Sequence, residues 1–122
     1  MQVEHVDFVS VLTQDIPRAK RFYGETLGLP IETEGENDME FTLGQVTLDV
    51  FNPTSIGQEF APSTAGIAIR VPDVAAARAE LEARGVVFDG ETRDTGVCHM
   101  AFFKDPDGNA LMLHRRYAPR ES

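Results

Sequence analysis

Apolar residues fall along this chain with two different spacings, and the changes between them mark its elements. Val6 to Leu12 is a β-branched and apolar run of the kind that fits a buried strand. Asp15 then precedes Ile16-Pro17. That is a helix start, because the carboxylate accepts an orphan N–H and proline in the first turn gives up no needed donor. Ala19, Phe22, Tyr23 and Leu27 recur near helical spacing, and Gly28 provides a left-handed end. Shorter strands follow, with 39–43 and 46–51 flanking a turn at Gly44-Gln45.

The second half repeats this order. Residues 67–71 read as a strand, Asp73 caps a helix, and Val74, Ala77 and Leu81 share one face of it. Arg78 and Glu82 form an i,i+4 pair, and Gly85 ends the helix. Strands are expected at 86–88, 98–103 and 110–114, the last two joined by Asp105-Pro106-Asp107-Gly108, where proline sets φ and glycine accepts a positive one. The two caps, Asp15 and Asp73, lie 58 residues apart, close to half of the 122-residue chain. Such a repeat implies two similar modules, each a strand, a helix and three strands. Module one spans 4–52, an irregular linker 53–65, module two 66–117 and a loose tail 118–122.

Composition narrows the partners. Eleven Lys and Arg against 20 Asp and Glu give a net charge of −9. Such a chain gains nothing from counterion release on nucleic acid, and an anionic membrane surface is an equally poor partner. Surface solubility accounts for much of the charge, and what remains favours cationic or neutral ligands. One cysteine, Cys98, precludes an internal disulfide and fits a cytoplasmic setting. No apolar window is long enough for a membrane span, and the first residues show no signal-peptide pattern. His5 reads as a surface residue.

Three motifs in order carry a family likeness: Asp15 with Phe22-Tyr23 and Leu27-Gly28-Leu29, then Gly44 to Val50, then Asp105-Pro106-Asp107-Gly108-Asn109 before an apolar strand. From about residue 4 to 117 the chain resembles the vicinal oxygen chelate superfamily, the glyoxalase, bleomycin-resistance and extradiol dioxygenase group. The resemblance implies an α+β fold of two βαβββ modules, with curled mixed sheets around a central cavity, and a homodimer. In the family's enzymes four side chains hold a divalent metal. The matching positions here are Phe8, Asp49, Gly66 and Met112. Only Asp49 offers an anionic oxygen, and a thioether is a poor ligand for hard divalent ions.

Alternation along strands then gives a candidate lining. Phe8 brings Ser10 and Leu12 inward, Asp49 brings Thr47 and Phe51, Gly66 brings Ala68 and Arg70, and Met112 brings His114, with Phe103 as a further wall. Apolar walls with sparse polar groups suit a small-molecule pocket. The plain alternative is a filled interior in which Asp49 and Arg70 form a structural ion pair. Two functional readings follow. One is a metal-free binding protein for a drug-like or natural-product ligand. The other is a lyase, isomerase or dioxygenase, using either an unusual metal set drawn from Asp49, His99 and His114 or acid–base chemistry by Asp49 and His114 with Arg70 stabilising an oxyanion. An interaction module without a ligand is a third.

Overall fold

The structure is a computed structural model that describes residues 1–120. It divides into two compact units, residues 1–63 and residues 64 onward. No helix among the described residues is long and apolar enough to cross a membrane.

The first unit runs β1 (Phe8–Leu12), α1 (Ile16–Lys20), β2 (Ile31–Glu34), β3 (Asp38–Leu43) and β4 (Val46–Phe51). Asp15 caps α1 by accepting from the Arg18 N–H at 3.0 Å, with Pro17 in the first turn. The helix does not stay α as far as Leu27. A π-helical turn, Arg21–Thr26, takes over, and the Leu27 N–H donates to the Phe22 carbonyl. Consecutive Phe22 and Tyr23 are both buried within that wider turn, edge to face at 5.1 Å. The sheet order is β1-β4-β3-β2, with β1 parallel to β4 and the other pairs antiparallel. Val11, Met39, Phe41, Leu48 and Val50 are buried on one side of the sheet, each worth about 1.5–3 kcal/mol of transfer free energy.

The second unit repeats the plan with β5 (Ile67–Arg70), α2 (Val74–Ala83), β6 (Arg93–Asp94), β7 (Cys98–Lys104) and β8 (Ala110–Arg116) in the order β5-β8-β7-β6. Asp73 caps α2 through the Ala76 N–H, and Arg78 reaches Glu82 at 3.5 Å as well as stacking over the Phe88 ring. Leu111, Leu113, Ala101 and Phe103 are buried on one side of the sheet.

One expectation needs correction, and three irregular segments gain detail. Residues 86–88 form no strand: Val86 and Phe88 are buried, Val87 is exposed, and the backbone makes a single bridge from Phe88 to Phe103. The edge strand is β6 instead. The linker holds a 3₁₀ turn, Pro53–Ile56, capped by Asn52. Gly66 sits in a bend before β5 with φ of +74°, so backbone conformation requires glycine there. The tail is tied at its start, where the Ala118 N–H donates to the Val97 carbonyl; Glu121 and Ser122 lie outside the described residues.

The turn between β7 and β8 depends on one carboxylate. Asp105 accepts from the Asp107 and Asn109 N–H groups through Oδ1 and from Asn109 Nδ2 through Oδ2, all at 2.8–2.9 Å. Asp105 is 6% exposed and Asn109 fully buried, so each bond lost leaves a polar group without water. Asn109→Ala is expected to cost about 1–3 kcal/mol. Thermal unfolding checks this, and a loss under about 0.5 kcal/mol, the range of surface substitutions, would contradict it.

Candidate functional site

The side of the first sheet opposite its core is populated by β1 residues Phe8, Ser10 and Leu12, β4 residues Thr47, Asp49 and Phe51, and β3 residues Asp38, Glu40 and Thr42. Gly44 and Gln45 form a two-residue turn with φ of +68° at glycine, as a tight hairpin requires at its first central position. That turn pairs Leu43 with Val46 and so puts Glu40 directly across from Asp49. Asp38 is on the same face two residues along β3. One ligating oxygen from each of Asp38, Glu40 and Asp49 lies within 4.8 Å of the others. Glu32 joins the face from β2, accepting from the Thr42 hydroxyl at 2.8 Å and the Thr47 hydroxyl at 3.1 Å.

The charge on this face is one-sided. Strands β1–β4 contain five acids, Glu32, Glu34, Asp38, Glu40 and Asp49, and no Lys, Arg or His. Glu34 is paired with Lys20 of α1. Asp49 is half-buried, and its polar contact on this face is the Ser10 hydroxyl, which donates at 3.3 Å. Burial raises its carboxyl above the ordinary value; Ser10 opposes this, and the charges of Asp38 and Glu40 reinforce it. A cleft of about 270 Å³ opens beside these groups, lined by Asn37, Asp38, Asp49, Phe51, Ser55 and Ile56.

The second sheet has a different open face. Met112 lies between Ala68 and Phe102, and His114 between Arg70 and Met100. His99 and Phe103 do not share it. Alternation along β7 puts them with Ala101 on the opposite side, where Phe103 is 1% exposed and packs on Phe88 at 5.0 Å. Phe103 is therefore core rather than pocket wall, and His99 cannot join His114 on one side of this sheet. His99 instead contacts Asp94 at 3.4 Å and stacks on Tyr117 at 4.8 Å. Asp38 and Glu40 were not among the residues singled out from sequence. The signal for them was present, since a two-residue turn at Gly44-Gln45 sets the register and period-2 alternation sets the face.

The chain matches the profile of the Glyoxalase/Bleomycin resistance protein/Dioxygenase superfamily over residues 3–113. It belongs to this superfamily. Among solved structures, an antibiotic-binding protein, TnmS3, from Streptomyces sp. CB03234 is 31% identical, with 95% of this chain and 98% of that one covered at a TM-score of 0.77. A glyoxalase/bleomycin resistance protein from the same Streptomyces is 30% identical, with 91% and 100% covered at 0.73. A lactoylglutathione lyase from Agrobacterium tumefaciens shares the fold at 18% identity, with 93% and 94% covered at 0.80. No curated protein matches the chain.

The superfamily's divalent metal does not suit the residues at its four positions. Phe8 and Gly66 have no donor atom, and Met112 offers only a thioether. A Cβ built at Gly66 would meet the Met112 methyl at 3.5 Å, so the thioether already occupies the space beside that position. Asp49 alone remains, and its neighbours are carboxylates on its own sheet.

The raised Asp49 carboxyl has a sign that can be tested. The folded chain holds this proton more tightly than the unfolded chain, so stability falls as pH rises from about 3.9 through the folded value. Ionised Asp49 therefore opposes folding at neutral pH. Asp49→Asn, which can still accept from Ser10, is expected to raise the melting temperature near pH 7, with the gain vanishing below about pH 4. Melting curves of both proteins across that range check it. A pH-independent difference, or a deficit that grows with pH, would contradict it.

Proposed function

We propose that this superfamily member binds a small organic molecule without a metal. In this reading the open face of the first sheet meets a cationic group of the ligand. The observation that carries it is the concentration of Asp38, Glu40, Asp49 and Glu32 on a face whose four strands hold no basic residue. Neighbouring like charges destabilise a sheet unless something neutralises them. A ligand cation would remove that repulsion on binding. Phe51 lines the same cleft, and Phe8 is 57% exposed on β1; both offer ring faces to a cation or to a flat ligand. Ser10 and Thr47 add hydroxyls beside the carboxylates. On the second unit, strand pairing puts Arg70, Met112 and His114 on one open face of its own sheet. Likeness to the antibiotic-binding TnmS3 supports the binding reading.

A second reading draws on one observation. The raised Asp49 carboxyl brings a base closer to neutral working pH, as acid–base catalysis requires. Turnover that disappears in Asp49→Asn while affinity persists would favour it.

Calorimetry and thermal shift with aromatic antibiotics that carry an amine separate these readings. A ligand specific to the folded state raises the melting temperature by mass action. Binding is expected to survive a chelator, to weaken by about tenfold or more in Asp49→Asn, and to weaken in analogues without the amine. Binding that a chelator abolishes, or that Asp49→Asn leaves unchanged, would overturn the proposal.

A further inference from the structure

The charge balance of the second sheet is the reverse of the first. Strands β5–β8 hold Arg70, Arg93, Lys104, Arg115 and Arg116 with His99 and His114, against one acid, Asp94. In a chain of net charge −9, none of these four arginines has an ion pair among the described residues, and two of them, Arg115 and Arg116, line one cleft. Arg115 and Arg116 are both half-buried. Arg116 Nε is buried without a hydrogen-bond partner, while its Nη2 donates to the Pro119 carbonyl at 3.2 Å. Both line a cleft of about 430 Å³ at the end of β8, with Pro72, Asp73 and Val74 at the start of α2 and with His99 and Tyr117.

The nearby carboxylates are committed elsewhere. Asp73 Oδ1 caps α2. Asp94 Oδ1 accepts from the Gly96 N–H at 2.9 Å and the Tyr117 hydroxyl at 2.8 Å, and its Oδ2 faces His99 at 3.4 Å. Those bonds hold the Asp94 carboxyl below its ordinary value, the Gly96 N–H contributing most, and they fix the His99 and Tyr117 rings at the cleft. Removing a guanidinium from water is unfavourable unless an anion or acceptor replaces the water. Its fork of N–H donors matches a carboxylate or phosphate.

We infer that this cleft is a binding site for a small organic anion, a carboxylate or phosphate ester carrying a flat ring. Arg115, directly across from His99, takes the anionic group together with Arg116, which reaches the cleft at the strand end, and the stacked His99 and Tyr117 rings take the flat one. The site uses none of the residues assigned to the first-sheet face and prefers the opposite charge, so either proposal can fail without the other.

Phenyl phosphate titrated into the ¹⁵N-labelled protein tests it. Saturable shifts are expected at Val74, Arg115, Arg116 and Tyr117, with a dissociation constant below about 1 mM. Arg115→Gln is expected to weaken binding about tenfold or more, as is Arg116→Gln, and added salt should weaken it further. Inorganic phosphate should bind more weakly than phenyl phosphate, and benzylamine should leave these four signals unmoved. Should Arg116→Gln unfold the chain, Arg115→Gln decides. The inference is overturned if phenyl phosphate gives no saturable shift at these residues, if Arg115→Gln binds like the parent, or if inorganic phosphate binds as tightly.

Discussion

The two-residue turn at Gly44-Gln45 is the constraint on which the site depends. It closes the β3–β4 hairpin with Leu43 opposite Val46, and every later pair follows from it. Met39, Phe41, Leu48 and Val50 then enter the core, and Asp38, Glu40 and Asp49 must emerge together on the other face. A slip of one residue would send the apolar set into water, so burial of the core holds the carboxylates where they repel one another. The energy comparison is lopsided. Each buried apolar side chain contributes about 1.5–3 kcal/mol, against roughly 0.2–1 kcal/mol for a cross-strand pair. The core therefore overrides the repulsion, and the face keeps its charge as a standing strain that the proposed ligand cation would relieve. Stability given up at a site is the usual mark of a functional surface.

Charge segregation between the sheets follows the same logic. The net charge of −9 describes neither sheet, since one has five acids with no base and the other has one acid with five Lys or Arg. A whole-chain charge is an argument about solubility and long-range attraction, whereas recognition depends on which side chains share a strand face. On the two proposals, the first sheet would meet a cation and the cleft at the end of β8 an anion.

Much of the fold was legible because local chemistry agreed with global pattern. Asp15 and Asp73 cap helices as expected, and Gly44 and Gly108 take the positive φ their turns need. What failed had physical causes. Cys98 to Phe103 is apolar on both faces apart from His99, so alternation carries little phase, and the register takes Phe103 out of the lining and His99 away from His114. Val86 to Phe88 has strand composition, but a single bridge to Phe103 is all the backbone pairing it makes. Gly66 matches a metal position of the superfamily, but its φ of +74° is the local reason for glycine there. Asp38 and Glu40 lie off the superfamily's metal positions, and only the hairpin register brings them beside Asp49. Arg115 and Arg116 form a basic pair at a strand end, a pattern that in sequence is indistinguishable from solvated surface; only the structure places their neighbouring acids in other bonds.

Asp49, Asp38 and Glu40 form an anionic face whose mutual repulsion the proposed ligand cation would relieve. Carboxyl-detected ¹³C NMR titration of the metal-free protein measures this directly, one residue at a time. The account predicts that Asp49 titrates above the ordinary carboxylate value of about 3.9 in the free protein and moves down when an amine-bearing ligand is bound. An Asp49 that titrates at the ordinary value, or one whose titration a bound cationic ligand leaves unmoved, would contradict it.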